Sequence, residues 1–332
     1  MNIHGKDIKI FSGNTNKKLA QEITSSLGLS LGKSEVKTFS DGEISVSIQE
    51  SVRGSDVFVL QSTSNKVNDS IMELLIMIDA FKRASAGRIT AVMPYFNYGR
   101  QDRKAKSRDP ISAKLLADLL NVAGADRILT MDLHAPQIQG FFNIPVDHLL
   151  GSPILAKDFA ERFKDDNKDD IVIVSPDLGS VSRARKFAEH FGGGSLSIID
   201  KRRPKPNVCE VMNIIGDVKN KKVIIVDDMI DTAGTLCNAA NALVEIGGAA
   251  EVYACASHAV LSGEAVNRIK NSRIKELVVL NTIELAQDKL IDKIKVLSVG
   301  STFANAISRI YEDKPMSILF DWFWQFVEIV YV

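Results

Sequence analysis

Five apolar, strand-like runs of the sequence are each followed at once by polar residues that could bind phosphate, a sugar or a metal ion. These polar segments are Pro94–Lys104, Asp132–His134, Ser175–Asp177, Asp200–Pro204 and Asp227–Thr235. Ligands of open parallel sheets bind beyond the carboxyl ends of the strands. One such segment would be weak support for a site, but the five carry complementary chemistry and together predict a ligand site at these strand ends.

The segment from Asp227 to Thr235 carries the strongest signal. A buried apolar strand delivers two carboxylates, and a turn of hydroxyl-bearing and small residues then opens a predicted helix. The candidate binding residues are Asp227, Asp228, Asp231, Thr232, Ala233, Gly234 and Thr235. Backbone N–H groups at a helix N-terminus bind anions, and carboxylates beside them suit sugar hydroxyls. Asp231 could instead simply cap the helix, but capping alone would not require the whole segment.

Composition limits the classes of protein to which the chain can belong. Its 332 residues are enough for two ordinary domains. Lys plus Arg and Asp plus Glu both count 41, so the basic excess of a nucleic-acid-binding protein is lacking. No uncharged apolar stretch is long enough to span a bilayer. We therefore expect no nucleic-acid partner and no membrane location.

The cysteines and the first residues bear on the compartment. Cys209, Cys237 and Cys255 are odd in number and widely spaced, which favours reduced thiols over a disulfide framework or a zinc site. The start of the sequence lacks the apolar core of a signal peptide. We expect a cytoplasmic protein.

Short apolar runs rich in β-branched residues alternate with longer helical patterns along most of the chain. The strand candidates are Ile8–Phe11, Val57–Leu60, Ile89–Met93, Ile128–Met131, Ile171–Val174, Leu196–Ile199, Lys222–Val226, Ala249–Ala256 and Lys275–Leu280. The helix candidates are Asn68–Ala86, Ile111–Ala123, Ile154–Phe163, Ser182–His190 and Thr235–Ile246. Continuous apolar runs are typical of parallel strands buried on both faces. The predicted fold class is α/β, with two similar doubly wound parallel-sheet domains.

The alternation runs through twice, which predicts the domain division. We place a boundary near Leu149–Pro153 and a return of the chain to the first domain near Thr302. The predicted N-terminal domain is 1–150, joined by 303–320, and the predicted C-terminal domain is 151–302. The apolar tail 321–332 contains both Trp residues, and its role is left open.

Taken in order, these motifs resemble those of the ribose-phosphate pyrophosphokinases. The segment Asp227–Thr235 is similar to a signature that this family shares with the phosphoribosyltransferases. The motifs that favour the pyrophosphokinases are Phe39–Glu43, Tyr98–Lys104, Asp132–Ala135, Ser175–Asp177 with Arg183–Arg185, and Asp200–Pro204. The resemblance extends from Ile8 to Phe320. It implies phosphoribosyltransferase-like domains and the phosphate-activated, Mg²⁺-dependent class of the family.

The resemblance implies an activity and its partners. Such an enzyme transfers the pyrophosphoryl group of Mg-ATP to the 1-hydroxyl of ribose 5-phosphate. The products are AMP and 5-phosphoribosyl 1-diphosphate, which supplies nucleotide, histidine and tryptophan biosynthesis. The implied cofactor is Mg²⁺, inorganic phosphate is a candidate activator, and the implied assembly is a homo-oligomer, a homohexamer in the family.

The resemblance also assigns the ATP-binding residues. Phe39, Asp41, Gly42 and Glu43 would recognise the adenine end of ATP, in the family from a neighbouring subunit, and Arg100 and Gln101 would contact the nucleotide. Without the resemblance, Asp41-Gly42 reads as a hairpin turn. The Arg100-Gln101 stretch alone reads equally well as a solvated basic loop.

The metal and catalytic positions follow in the same way. His134 and Asp177 match positions that hold or approach Mg²⁺. Since magnesium prefers oxygen ligands, two roles stay open for the catalytic candidate His134, as a metal ligand or as a donor to the phosphates. Lys201 and Arg203 match the catalytic cations of a mobile flap, 200–207. Arg203 and the segment Asp227–Thr235 would hold ribose 5-phosphate.

Two positions depart from the family pattern. Ser180 stands where the family commonly has a second Gly, which would be mildly costly if the position requires a positive φ. Pro315 replaces one of two regulatory hydroxyls, which puts inhibition by ADP and activation by phosphate in doubt. Two alternatives stay open: a phosphoribosyltransferase, and a non-catalytic regulatory subunit of the same family. The first would not need the ATP motifs, and the second would be expected to have lost Lys201, Arg203, His134 or Asp227.

Overall fold

The computed structural model describes residues 7–202 and 211–319. The predictions for Arg203, for most of the flap and for the tail 321–332 lie outside the described residues. The strands are β1 Ile8–Ser12, β2 Ser34–Thr38, β3 Ile44–Ile48, β4 Asp56–Leu60, β5 Arg88–Met93, β6 Arg127–Met131, β7 Val146–Leu149, β8 Ile171–Ser175, β9 Ser195–Arg202, β10 Val211–Ile215, β11 Lys222–Ile230, β12 Glu251–Ala259, β13 Ile274–Leu280 and β14 Ile294–Leu297. The α-helices are α1 Lys17–Ser26, α2 Val67–Arg83, α3 Ser112–Ala123, α4 Ser152–Arg162, α5 Val181–Phe191, α6 Gly234–Glu245, α7 Ala265–Asn271 and α8 Gly300–Tyr311.

The chain divides into two compact units. Within the described residues, the first unit contains 7–150, 282–284 and 298–319, and the second contains 151–281 and 285–297. Within the described residues, no helix is both long and apolar enough to cross a bilayer.

The first unit is built on a five-stranded parallel sheet with the order β1-β4-β5-β6-β7. Strand β4 is buried along its whole length, and alternate residues such as Val57 and Val59 pack in a core with Met77 of α2 and Leu116 of α3. The antiparallel hairpin β2–β3 stands apart from this sheet as a separate two-stranded ribbon. The five strands therefore direct their carboxyl ends, and the segments that follow them, to one edge.

Helix α8 returns the chain to the first unit, where it packs against α1. The guanidinium of Arg88 pairs with the fully buried Asp56 and also donates to the carbonyl of Ile310 at 3.0 Å. The buried carboxylate is thereby paired, as buried charges must be. This network attaches the end of α8 to the amino end of β5.

The second unit is built on a seven-stranded sheet with the order β10-β9-β8-β11-β12-β13-β14. Its strands are parallel except for the edge strand β10, which pairs antiparallel with β9. The core contains Val223 and Ile225 of β11 and Leu236 and Leu243 of α6, all nearly inaccessible to solvent. Both units are mixed α/β structures with parallel sheets, which confirms the predicted fold class.

Candidate active site

The tip of the β2–β3 hairpin carries the predicted adenine-recognition residues. Phe39, Asp41, Gly42 and Glu43 are all exposed, and 57% of the Phe39 side chain is accessible. The turn closes on itself, because the N–H of Phe39 donates to the carbonyl of Glu43 at 2.7 Å and Gly42 adopts a φ of 98°. Gly42 is needed for that left-handed conformation. The tip is thus a hairpin turn that presents an aromatic ring and two carboxylates to its surroundings.

The loop after β5 and the loop after β6 lie together in the first unit. A side chain at Gly99 would place its Cβ 3.5 Å from the Cβ of His134, so the backbone beside Arg100 lies against that histidine. Gln101 is anchored through its N–H to the carbonyl of Tyr98 at 2.8 Å and through its side chain to Ser112. Arg100, Gln101 and His134 are exposed. The structure therefore brings these three predicted residues to one edge of the sheet.

Asp177 lies in the turn between β8 and α5 of the second unit. Its Oδ1 accepts the N–H of Ser180 at 2.8 Å, and its side chain is exposed. Ser180 has a φ of −92°, so the serine at this position carries no left-handed strain. The departure from the family's glycine is therefore without cost in backbone conformation.

Lys201 lies in a strand and not in a loop, which corrects the predicted start of the flap. Strand β9 runs past its last partner on β8, Ser175 opposite Ile198, and continues to Arg202 as a ribbon paired only with β10. In the antiparallel pairing with β10, Asp200 lies opposite Asn213 and Lys201 opposite Met212, and the prolines that disfavour a strand come only later, at Pro204 and Pro206. Arg203 lies outside the described residues.

Asp227 and Asp228, near the carboxyl end of β11, form an acidic pair. Burial, the charge of Asp228 and a hydrogen bond with it raise the pKa of Asp227 to about 8, against the opposing charge of Arg183. The N–H of Asp228 donates to Oδ1 of Asp227 at 2.9 Å. Arg183 of α5 lies 3.6 Å from Asp227 and 3.3 Å from Asp228, so one guanidinium serves both carboxylates.

The turn after β11 has the geometry of an anion cradle. Helix α6 begins at Gly234 without a side-chain cap, and the preceding residue, Ala233, is left-handed with a φ of 58°. Among the described residues, no hydrogen bond uses the backbone N–H groups of residues 232–236 as donors. A Cβ at Gly234 would meet no atom closer than 3.8 Å, so the turn is open on that side. Consecutive N–H groups directed at an open space can bind a phosphate.

Asp231 does not cap α6, which corrects the alternative raised from the sequence. Its carboxylate instead accepts a hydrogen bond from the hydroxyl of Ser262, and its carbonyl accepts the N–H of the same serine at 3.0 Å. Because Asp231 is tied to the segment after β12, the helix N-terminus is left to an external ligand.

Three residues at this site were not among the predicted site residues. Arg183 contacts the acidic pair, Ser262 holds Asp231, and Arg268 of α7 donates to the carbonyl of Thr232 at 2.7 Å. The sequence places Arg183 only within the motif Arg183–Arg185, without a role of its own. A signal for Ser262 did exist, since it follows β12 and thus the carboxyl end of a parallel strand.

The site lies at the carboxyl end of a parallel sheet and suits a phosphorylated sugar. The acidic pair can accept hydrogen bonds from the sugar hydroxyls, and the N–H groups of the uncapped turn can bind the phosphate. With the α/β architecture of both units, they define a protein of the phosphoribosyltransferase fold type. Comparisons with known proteins agree. The N-terminal domain of ribose phosphate pyrophosphokinase matches residues 8–124, and the phosphoribosyl synthetase-associated domain matches residues 197–321.

Relatives and a solved structure match nearly the whole chain. A ribose-phosphate pyrophosphokinase from Clostridium perfringens is 66% identical over 96% of this chain and 99% of its own length. One from Bacillus caldolyticus is 61% identical over 95% and 98%. The crystal structure of phosphoribosylpyrophosphate synthetase from Mycobacterium smegmatis superposes with a TM-score of 0.88 at 44% identity, covering 93% of this chain and 100% of that one.

The chain belongs to the ribose-phosphate pyrophosphokinase family. The resemblance read from its motifs is confirmed, and so are the enzyme class and the overall activity predicted from them.

Proposed function

We propose that this chain transfers the pyrophosphoryl group of Mg-ATP to the 1-hydroxyl of ribose 5-phosphate, using the residues assigned from the sequence. The observation that carries the assignment of the sugar site is the cradle beside Asp227 and Asp228. The N–H groups of residues 232–236 bind the 5-phosphate, and the two carboxylates accept hydrogen bonds from the ribose hydroxyls. The predicted C-terminal domain is the ribose 5-phosphate side, and the predicted N-terminal domain is the ATP side.

The chain's own residues contribute position and charge. Arg100 and Gln101 orient the nucleotide, and Phe39, Asp41 and Glu43 of a neighbouring subunit hold its adenine. The anomeric hydroxyl then attacks the β-phosphorus in line, and AMP leaves. Lys201 and Arg203 stabilise the charge that spreads over the transferred group, since such transfers depend mainly on positioning and electrostatics. His134 donates to the phosphate chain.

The exposed carboxylate of Asp177 suits the magnesium ion that the family uses. Among the described residues, no cluster of three or more side chains could hold a metal ion. Magnesium commonly keeps several waters and takes one or two carboxylates together with substrate phosphates. One oxygen of Asp177 is fixed by the Ser180 N–H, and the other is the ligand we assign. When bound, the ion would neutralise the phosphate chain of ATP.

Asp177→Asn is expected to raise the free Mg²⁺ concentration for half-maximal rate by about 10-fold, because the amide keeps the shape but lacks the charge. The rate would be measured at fixed Mg-ATP against free Mg²⁺. Asp169→Asn, which removes an exposed carboxylate of the same unit, is the matched control. An unchanged Mg²⁺ dependence in Asp177→Asn would exclude this role.

We also propose a homo-oligomer, a homohexamer by the resemblance, that uses an apolar groove of the first unit. The groove lies between α2 and α3, has a volume of about 310 Å³ and is lined by residues such as Met72, Leu75, Leu115 and Leu119. Met72, Leu115 and Leu119 are between 41% and 61% exposed. Apolar surface of this kind between helices is typical of a protein interface.

Leu115→Glu is expected to lower the molar mass in solution, because it places a charge in the centre of that contact. The mass would be measured by light scattering after size-exclusion chromatography. Leu290→Glu, an equally drastic change at a 44%-exposed leucine of the second unit, is the control. A Leu115→Glu variant with the wild-type mass would place the interface elsewhere.

The proposed compartment is the cytoplasm, in keeping with the free thiols of Cys237 and Cys255.

The activity is tested with ribose 5-phosphate, ATP and Mg²⁺ in phosphate buffer, following AMP and 5-phosphoribosyl 1-diphosphate by chromatography. Formation of both in equal amounts is the expected result. ADP in place of AMP, or no product from folded, ATP-binding protein, would contradict it, and the second outcome would favour the regulatory-subunit alternative. Deletion of 321–332 would then show whether the tail blocks activity.

A further inference from the structure

The peptide unit that joins Thr232 to Ala233 is at the centre of the phosphate cradle, and its orientation is strained. Ala233 has a φ of 58°, a region that non-glycine residues enter only at a cost. In a trans peptide, the carbonyl of Thr232 and the N–H of Ala233 point in opposite directions. The direction of that carbonyl therefore decides whether this N–H faces the cradle or faces away.

The strain would be relieved by a flip of this peptide unit, in which its carbonyl and its N–H exchange directions. The rotation would carry Ala233 from a positive to a negative φ, where an alanine is unstrained. It would also direct the carbonyl oxygen of Thr232, and not the N–H of Ala233, towards a bound phosphate. A carbonyl oxygen repels an anion, so the relaxed conformation would bind phosphate poorly.

One side chain holds the strained orientation in place. Nη1 of Arg268 donates to the carbonyl oxygen of Thr232 at 2.7 Å, and it lies 3.9 Å from the position of a Cβ on Gly234. A hydrogen bond from a charged donor is stronger than one between neutral groups. The flanking residue Asp231 is fixed separately by the hydroxyl and the N–H of Ser262. Arg268 is therefore the contact that acts on the peptide itself.

We propose that Arg268 is a positioning residue of the phosphate cradle: it holds the Thr232 carbonyl outward, so that the Ala233 N–H faces the 5-phosphate of ribose 5-phosphate. This inference rests on the proposed sugar site. The turn then exists in two conformations, one with the Thr232–Ala233 peptide in the binding orientation and one with it flipped. Arg268 favours the binding orientation. If only part of the molecules hold the binding orientation, the apparent affinity falls by that fraction.

Arg268→Met keeps the apolar stem of the side chain and removes every donor. It is expected to raise the Kd of ribose 5-phosphate, and its KM, by about 10-fold or more, since a hydrogen bond to a charged group is lost. The KM for ATP should stay within about 2-fold of wild type, because Arg268 contacts the turn assigned to the 5-phosphate and is not among the residues assigned to ATP. Lys270→Met removes an exposed cation from the same helix and is the matched control. Binding would be measured by calorimetry, and KM by the AMP assay.

The decisive variant is Ala233→Gly in the Arg268→Met background. Glycine adopts a positive φ without cost, so it should recover about 5-fold or more of the lost affinity, in line with the strain that an alanine carries there. If Arg268 acted only through its charge, the glycine would recover nothing, and the proposal would be wrong. It would be equally wrong if Arg268→Met bound ribose 5-phosphate as wild type does. A wild-type protein that forms no product would instead refute the proposed function itself.

Discussion

Lys201→Ala is expected to lower kcat by about 100- to 1000-fold, the effect of removing one donor that stabilises charge in a transition state. The KM for ATP should change little, because Lys201 is assigned to the charge that develops in the transition state and not to the binding of ATP. Strand β9 carries Lys201 out along the ribbon with β10, beyond the end of β8. A cation on a ribbon that extends beyond the sheet can close over bound substrates and exclude water. Exclusion of water limits ATP hydrolysis.

Steady-state kinetics with both substrates varied would separate kcat from KM for this variant. Lys219→Ala, which removes an exposed cation from the same unit, is the control and should behave as wild type. Normal turnover in Lys201→Ala would exclude the catalytic role of this strand end. A loss confined to the KM of ATP would make Lys201 a ground-state binding residue.

At pH 9, where its carboxylate is ionised, Asp227→Asn is expected to lower kcat/KM for ribose 5-phosphate by about 100-fold, since charged hydrogen bonds to the sugar are lost. The same change should raise the stability of the protein. Asp227 sits beside Asp228, and burial and that neighbour raise its pKa to about 8. At pH 9, where this carboxyl is ionised, removing the unfavourable charge should add about 1–2 kcal/mol, or roughly 2–8 °C in melting temperature. A variant that is more stable and less active would identify a strained binding group.

The sign of the pH dependence follows from the raised pKa. Between the unfolded value of about 3.9 and the folded value of about 8, the folded protein holds more protons than the unfolded chain. The free energy of unfolding must therefore fall as the pH rises through this range. The stabilisation by Asp227→Asn should accordingly be small at pH 5 and largest near pH 9.

Thermal unfolding from pH 5 to 9 would measure this difference. The control is Asp217→Asn, which removes a carboxylate that is 73% exposed. A difference that is constant with pH would mean that Asp227 does not carry the raised pKa.

The KM for ribose 5-phosphate in the wild type should also fall as the pH rises through 8, since the ionised carboxylate is the better acceptor.

The sequence predicted the central strands of both units because they are buried on both faces and leave continuous apolar runs. Strand β4 is the plainest case, with each of its residues buried. The hairpin β2–β3 escaped prediction as strands because four of its ten strand residues are exposed and polar, and only its Asp41-Gly42 turn was recognised. The edge strands β7 and β14 have only four residues each and leave correspondingly little pattern.

The residues of the candidate site were predictable where they follow strands directly. Asp177 and Asp231 follow β8 and β11, as predicted, whereas Asp227 lies inside β11, because this strand continues to Ile230 and does not end at the predicted Val226. The supporting contacts were not predictable, because they join positions far apart in the chain: Arg268 reaches Thr232 across 36 residues, and Ser262 reaches Asp231 across 31. Periodicity reports which face of an element is buried, and it holds no information about such partners.

The most direct test of the central claim follows two labels in ATP, one at the α-phosphorus and one at the γ-phosphorus, in a reaction with ribose 5-phosphate. Pyrophosphoryl transfer places the α label in AMP and the γ label in the phosphoribosyl product, in equal amounts, with no labelled ADP. The γ label in a sugar phosphate beside α-labelled ADP would show transfer of a single phosphoryl group. That result would contradict the attack at the β-phosphorus on which the whole account depends.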